Sequence, residues 1–413
     1  MIREARAAFP VLLVVGIVFI GFILRGPIVA VAPVSGLISD DLALSAAQMG
    51  LLTTLPVLCF ALMTPFASLF VGKAGANFAT TVAIVGVGIG SIVRSAGGVE
   101  ATVVGTVVMG AFITIGNVVI PVIIRRDIPT ARVGIVTGAY TSALNVGSMV
   151  TTLATVPLAG VFGWRGALLA WLGFVVVAAV AWLVAVGPAR AVHWGPLAPA
   201  LETGAVDTVV VDTRGIPVAA REPRTWRSLS AVLLALTFGA QAFSYYGITA
   251  WFPSILADEL GYSAGQAGSS SSIFQIAAVV GALGVPLISR RIGVPRTFAA
   301  ISVLWITLPL GMILLPSGWP AWGFLGGVAQ GGGITIVFML IVQLALSGTH
   351  ARRLSAMVQG VGYALGATAP SVVGAVHDAT GGWTVPVAIV LVATAVFTVC
   401  GLAGALRATR KAH

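Results

Sequence analysis

Apolar residues run almost unbroken through twelve stretches, at about 9–34, 46–71, 77–94, 99–124, 131–158, 165–187, 228–256, 265–289, 296–315, 319–346, 353–376 and 383–407, with short polar segments between them. A helix crosses a bilayer in roughly 20 apolar residues, whereas a barrel strand shows short apolar–polar alternation that these stretches lack. The pattern predicts an all-α integral membrane protein with twelve transmembrane helices. One longer polar tract, 188–227, divides the twelve into six and six. The expected organisation is therefore an N-terminal six-helix bundle over 1–187, a linker over 188–227 and a C-terminal six-helix bundle over 228–413. Within the linker DTVVVDTRGIPV carries β-branched residues around an Arg-Gly turn, which fits either a small hairpin or a plain linker.

Composition agrees: 58% of residues are hydrophobic and 8% charged, against about a quarter charged in a soluble domain. Placing successive loops on alternate sides puts 19 Lys and Arg on one side and only Arg94 and Arg165 on the other. Positive loops stay inside, so both termini and the linker are expected in the cytoplasm of an inner-membrane protein. The other side carries acids: Asp40, Asp41, Glu100, Asp258, Glu259 and Asp378. This distribution assigns the net charge of +10 to a membrane surface rather than to nucleic acid. The first residues have the basic end and apolar core of a signal peptide, with Ala30-Val31-Ala32 as a nominal cleavage site. Cleavage is not expected, because the apolar stretch is too long and a cut there would leave Pro33 first. Cys59 and Cys400 lie in apolar segments far apart in the chain and read as small buried hydrophobes, with no metal-ligand spacing.

The halves echo each other. RRDIPTARVGIVTGAYTSALNVGS after span four matches THARRLSAMVQGVGYALGATAP after span ten in its basic residues, aliphatic step, glycine and tyrosine. Paired six-helix halves are a transporter pattern with the substrate site near the midplane between them. LRGPIVAVAPV, GLLTTLPVLCFAL, GNVVIPVIIRRDIP, FGAQAFSYYGITAWFPSILADELGYSAGQAG and LSAMVQGVGYALGATAPSVVGAVHDATGGW carry a resemblance over essentially the whole chain. By these blocks the sequence resembles the major facilitator superfamily, and within it the cyanate and 2-nitroimidazole permease family. The resemblance implies the major facilitator fold and a cyanate-like or nitroimidazole-like solute. In one place the chain departs from the superfamily: the loop GKAGANF after span two keeps only Lys73 of the usual acid and bases.

Arg25 is the one basic residue outside both loop sets, about 24 Å from the inner boundary of a ~30 Å core. Gly26 and Pro27 follow it, and a span interrupted by such residues at depth lines a cavity. A guanidinium there offers a planar fork of donors to a carboxylate-like or nitro-like group. The alternatives are a structural hydrogen bond to span carbonyls and snorkelling to the outer headgroups. Apart from Glu100 at the outer edge of span four, no Asp or Glu falls within the spans, which favours an anion or electron-rich solute and disfavours a cation exporter.

Gln241 and Tyr245 share a face of span seven, beside Tyr246 and Trp251, and Gln359 and Tyr363 repeat the pair in span eleven. Asn117, Tyr140 and Asn145 offer similar chemistry from the first half. The candidate substrate-binding set is Arg25, Asn117, Tyr140, Gln241, Tyr245, Gln359 and Tyr363, against the plain reading of interhelical hydrogen bonds. Gln275, Gln330 and Gln343 read as packing, Trp319 and Trp322 as an interfacial belt, and His377-Asp378 as a solvated pair. GVGIGS and GGVAQGGGIT lack the strand and the Lys-Ser/Thr of a nucleotide loop and read as close helix contacts.

These features predict a secondary transporter, not an enzyme, moving a small anionic or polar planar solute by alternating access. Expected partners are that solute and the bilayer, with no nucleic acid, cofactor or metal, in a monomer. The rivals are a drug or metabolite exporter of the same fold and a solute-sensing receptor signalling through the linker.

Overall fold

Each predicted apolar stretch holds a long helix in the computed structural model, which describes residues 10–44, 46–195, 210–211, 217–218, 228–263, 266–267, 270, 272–345 and 347–411. Spans one to four are Val11–Val29, Ala46–Ala74, Ala76–Ser95 and Val99–Asp127. Spans five and six share the helices Val133–Ala170 and Leu172–Val186. Spans seven to twelve are Leu229–Leu260, Ser272–Ile292, Val294–Leu314, Trp319–Leu344, Gly348–Thr380 and Thr384–Lys411.

Ten helices among the described residues are long and apolar enough to cross a membrane. One of them, Thr130–Val186, is 57 residues long and holds two passes. The chain breaks between them at Gly163, whose φ of 69° is a conformation that a Cβ would strain. Span eleven, 33 residues, has the length but a more polar composition, because it faces protein on several sides. With these two the passes number twelve. Span one is shorter than its apolar stretch: the helix ends at Val29, and a 3₁₀ turn (Ala32–Val34) and a short helix (Ser35–Leu42) follow. Pro33 disfavours a helical residue before it, which turns the chain there. In the linker Val210–Val211 pairs antiparallel with Pro217–Val218, Val210 opposite Val218, and most of 196–227 lies outside the described residues.

Glycines set the closest helix pairs. A Cβ on Gly90 would stand 2.5 Å from the Met109 nitrogen, and one on Gly105 2.1 Å from that of Arg94, joining spans three and four. In the second half, a Cβ on Gly281 or Gly331 would stand 1.8 Å from a carbonyl oxygen, of Val328 or Ala278, across spans eight and ten. Both glycine-rich motifs therefore act as contact surfaces, the role small residues serve where lipid supplies no hydrophobic drive between helices.

Alternate passes collect six of the seven described acids, Asp40, Asp41, Glu100, Asp258, Glu259 and Asp378, at one end of the molecule, and most basic residues with Asp127 at the other. At the acidic end Arg165 pairs with Asp41 at 2.6 Å, fixing the start of span six to the helix after span one. There too the Trp383 indole donates to Asp258 at 2.8 Å, and His377 stacks on Trp383 with centroids 3.8 Å apart. His377 is thus packed rather than a free solvated side chain. Trp319 donates to the Tyr262 hydroxyl and Trp322 to the Leu315 carbonyl, anchoring the start of span ten.

Candidate functional site

Span one carries Arg25 between the two halves, four residues before the helix ends at Val29, where the side chain is half-buried. Its guanidinium carbon stands 4.8 Å from the centroid of the Tyr245 ring of span seven, a cation–π contact. The hydroxyls of Tyr246, Tyr245, Tyr363 and Tyr140 all lie within electrostatic reach of the same guanidinium. Two adjacent tyrosines on one helix point about 100° apart, so Arg25 meets the face of Tyr245 with Tyr246 to one side of it. Gln275 of span eight donates to the Tyr245 hydroxyl at 3.1 Å and holds that ring in place.

A row of rings continues beneath this group and crosses both halves. Phe60 of span two stands 4.9 Å from Tyr363, Tyr363 stands 5.2 Å from Phe238, Phe238 5.9 Å from Phe338, and Phe338 6.2 Å from Tyr140. Tyr140 is fully buried, and its hydroxyl has no hydrogen-bond partner. Four of the seven residues expected to bind solute, Arg25, Tyr140, Tyr245 and Tyr363, come together here.

The other three take different places. Gln241 is 1% exposed and donates to the Gln330 carbonyl at 2.9 Å; a Cβ on Gly333 would fall on its amide. It binds span seven to span ten. Gln359 is fully buried and donates to Ser355 and, at 3.0 Å, to the backbone carbonyl of Asn117, which joins spans eleven and four. Asn117 itself is buried on span four, and Asn145 donates back to the Thr141 carbonyl of its own helix. Trp251 donates to the Pro370 carbonyl at 2.9 Å and packs spans seven and eleven together. Tyr246 and Gln275 are the residues that the helical-face reading did not put in the set, since it paired Gln241 with Tyr245.

Arg94 corrects the loop count. Drawn as an outer-loop residue at the end of an apolar window, it lies in the last turn of span three, 1% exposed. Its Nη1 donates to the Pro27 carbonyl at 2.7 Å, while Nε and Nη2 are buried without partners. Burial follows from the close approach of spans three and four at Gly105. None of the seven described acids is buried, so no carboxylate at depth neutralises Arg25 or Arg94 among the described residues.

Below the rings the halves are sealed toward the basic end. Beside the ring row, Thr141 and Thr335 share a hydrogen bond of 2.5 Å across the two halves. Farther out, Arg352 donates to the Ser68 carbonyl, Arg290 to the Ala131 carbonyl, and Arg125 to the Ala345 carbonyl at 3.5 Å. Each guanidinium comes from one half and each carbonyl from the other. Of these carbonyls, that of Ala345 caps a helix C-terminus, where partial negative charge collects. Lys73, the one charge kept in the loop after span two, is exposed. Guanidinium-to-carbonyl contacts thus close this end without a carboxylate among these partners.

The sequence model of the Major Facilitator Superfamily matches residues 11–370. The chain belongs to the Major Facilitator Superfamily. It is 33% identical over 403 residues to the 2-nitroimidazole transporter of Escherichia coli (strain K12), covering 94% of this chain and 95% of that protein. To the cyanate transport protein CynX of Escherichia coli (strain K12) it is 25% identical over 370 residues, covering 89% and 90%. Among solved structures, the transporter FucP in the outward conformation is similar in fold, with a TM-score of 0.69, 13% identity and coverage of 95% of this chain and 98% of that one. This superfamily member is a transporter rather than an enzyme. Its two halves meet at the basic end and around Arg25.

Proposed function

We propose that this transporter moves a small anionic or polar planar solute, cyanate-like or nitroimidazole-like, by rocking its two halves about Arg25. The observation that carries the reading is the placement of one permanently charged guanidinium among four tyrosines drawn from both halves. Tyr140 and Arg25 come from the first half, Tyr245, Tyr246 and Tyr363 from the second, so a solute held there senses any change between them. The fork of donors suits a planar acceptor, the ring faces suit a flat body, and phenols complete the hydrogen bonds. With no buried carboxylate nearby among the described residues, a cation gains nothing at this position. The names of the 2-nitroimidazole and cyanate transporters agree with that chemistry.

The basic end is cytoplasmic in this reading, as the positive-inside rule requires, so the sealed basic end makes this the outward-facing state. An inner membrane is the corresponding location, with both termini inside. Flux into sealed proteoliposomes tests the proposal. Labelled 2-nitroimidazole or cyanate is expected to enter vesicles bearing the protein faster than empty ones, and unlabelled solute is expected to compete. Equal rates with and without protein for both solutes contradict it.

A further inference from the structure

Arg94 is a deeply buried guanidinium that the solute site does not use directly. Its one hydrogen bond, from Nη1 to the Pro27 carbonyl at 2.7 Å, crosses from span three to the last turn of span one. In a continuous helix that carbonyl would accept from the N–H four residues on, Val31. Span one stops at Val29, and the Ala30 N–H turns back to the Gly26 carbonyl. Arg94 supplies the donor that the break takes away, and its positive charge suits the negative end of the helix. On another side, Gly26 is pressed against span five, where an added Cβ would stand 3.0 Å from the Thr151 methyl and 3.5 Å from the Gly147 carbonyl oxygen. The last turn of span one is therefore fixed by Arg94 and by span five, and Arg25 directly precedes that turn, two residues before Pro27.

We propose that Arg94 is a positioning residue for the solute site: it caps the broken end of span one and so aims Arg25 at Tyr245 and Tyr246. It touches no solute. The energetic case is that a buried guanidinium without a nearby carboxylate is costly and persists where it satisfies an otherwise orphaned carbonyl. This inference rests on Arg25 being the solute partner.

A double-mutant cycle in purified protein in nanodiscs tests it, with 2-nitroimidazole and cyanate as the probes and thermal unfolding as the check on folding. Arg94→Gln is expected to weaken binding about tenfold and Arg94→Lys about threefold, since an ammonium still reaches the carbonyl. Both losses are expected to vanish in an Arg25→Ala background, because a residue that acts through Arg25 has nothing left to aim. Either variant that folds decides the matter. Native affinity in folded Arg94→Gln and Arg94→Lys, or a loss that adds in full to that of Arg25→Ala, overturns the positioning role alone. Native affinity in Arg25→Ala, or no binding of either probe to the unaltered protein, overturns the solute-site reading beneath it.

Discussion

Arg352 of span eleven donates to the backbone carbonyl of Ser68 on span two, so a side chain of the second half is tied to the backbone of the first. Arg290 to Ala131 and Arg125 to Ala345 repeat the arrangement, and in the Arg125 pair the directions of donor and acceptor halves are exchanged. Removing one such bond removes about 1 kcal/mol or more from the closed basic end. In a variant lacking Cys59 and Cys400, a Gly360→Cys reporter is suitable, because a Cβ there meets only the Thr64 side chain, at 3.5 Å. Adding Arg352→Ala is expected to raise its labelling rate several-fold from the basic side. An unchanged rate would show that this contact does not hold the closed state.

Small-residue contacts make a second, stability-based prediction. Gly331→Ala places a methyl 1.8 Å from the Ala278 carbonyl oxygen, so spans eight and ten must move apart. Overpacking of this kind costs about 1 to 3 kcal/mol, and a lower unfolding temperature in detergent is the expected outcome. Gly284→Ala is the control, since nothing lies within 4 Å of its Cβ position. Equal stabilities for the two variants would contradict the close contact.

Orientation is tested from outside the membrane. Ser317 is exposed in the turn before span ten at the acidic end, and Ala189 is exposed after span six at the basic end. A membrane-impermeant thiol reagent added to intact cells is expected to modify Ser317→Cys and miss Ala189→Cys. The reverse pattern would place the basic end outside.

Much of this arrangement was legible in the chain, because burial in lipid leaves a length and apolarity signal that does not depend on tertiary partners. The twelve passes, the polar tract at 188–227 and Arg25 all came from that signal. What it misses is contact between helices. Arg94 ends an apolar window and so looks like a loop residue, yet Gly105 lets span four close over it and Pro27 offers it a carbonyl. Gln241 and Gln359 carry the right chemistry on the right spans, but their amides meet backbone carbonyls of spans ten and four. Tyr246 and Gln275 join Arg25 and Tyr245 because three spans converge there, a fact that no single helical face contains.

Coupling follows from the acids. All seven described carboxylates lie at helix ends, in terminal turns or in the short helix after span one, and none is buried. No single one is expected to be essential, so uptake should survive Asp→Asn or Glu→Gln at each. Asp41 and Asp258 are the exceptions to watch for stability, since they hold Arg165 and Trp383. Complete loss of uptake in one such variant that still folds and binds solute would assign proton coupling to that acid.

The central claim is that Arg25 holds the solute by its planar fork. Affinity for 2-nitroimidazole and for cyanate, measured on folded Arg25→Lys and Arg25→Ala protein in nanodiscs, tests it most directly. Arg25→Ala is expected to lose on the order of 2 to 5 kcal/mol of binding, and Arg25→Lys to lose part of that, since an ammonium keeps the charge without the fork. Near-native affinity in both variants would contradict the claim and leave Arg25 as a structural partner of Tyr245 and Tyr246.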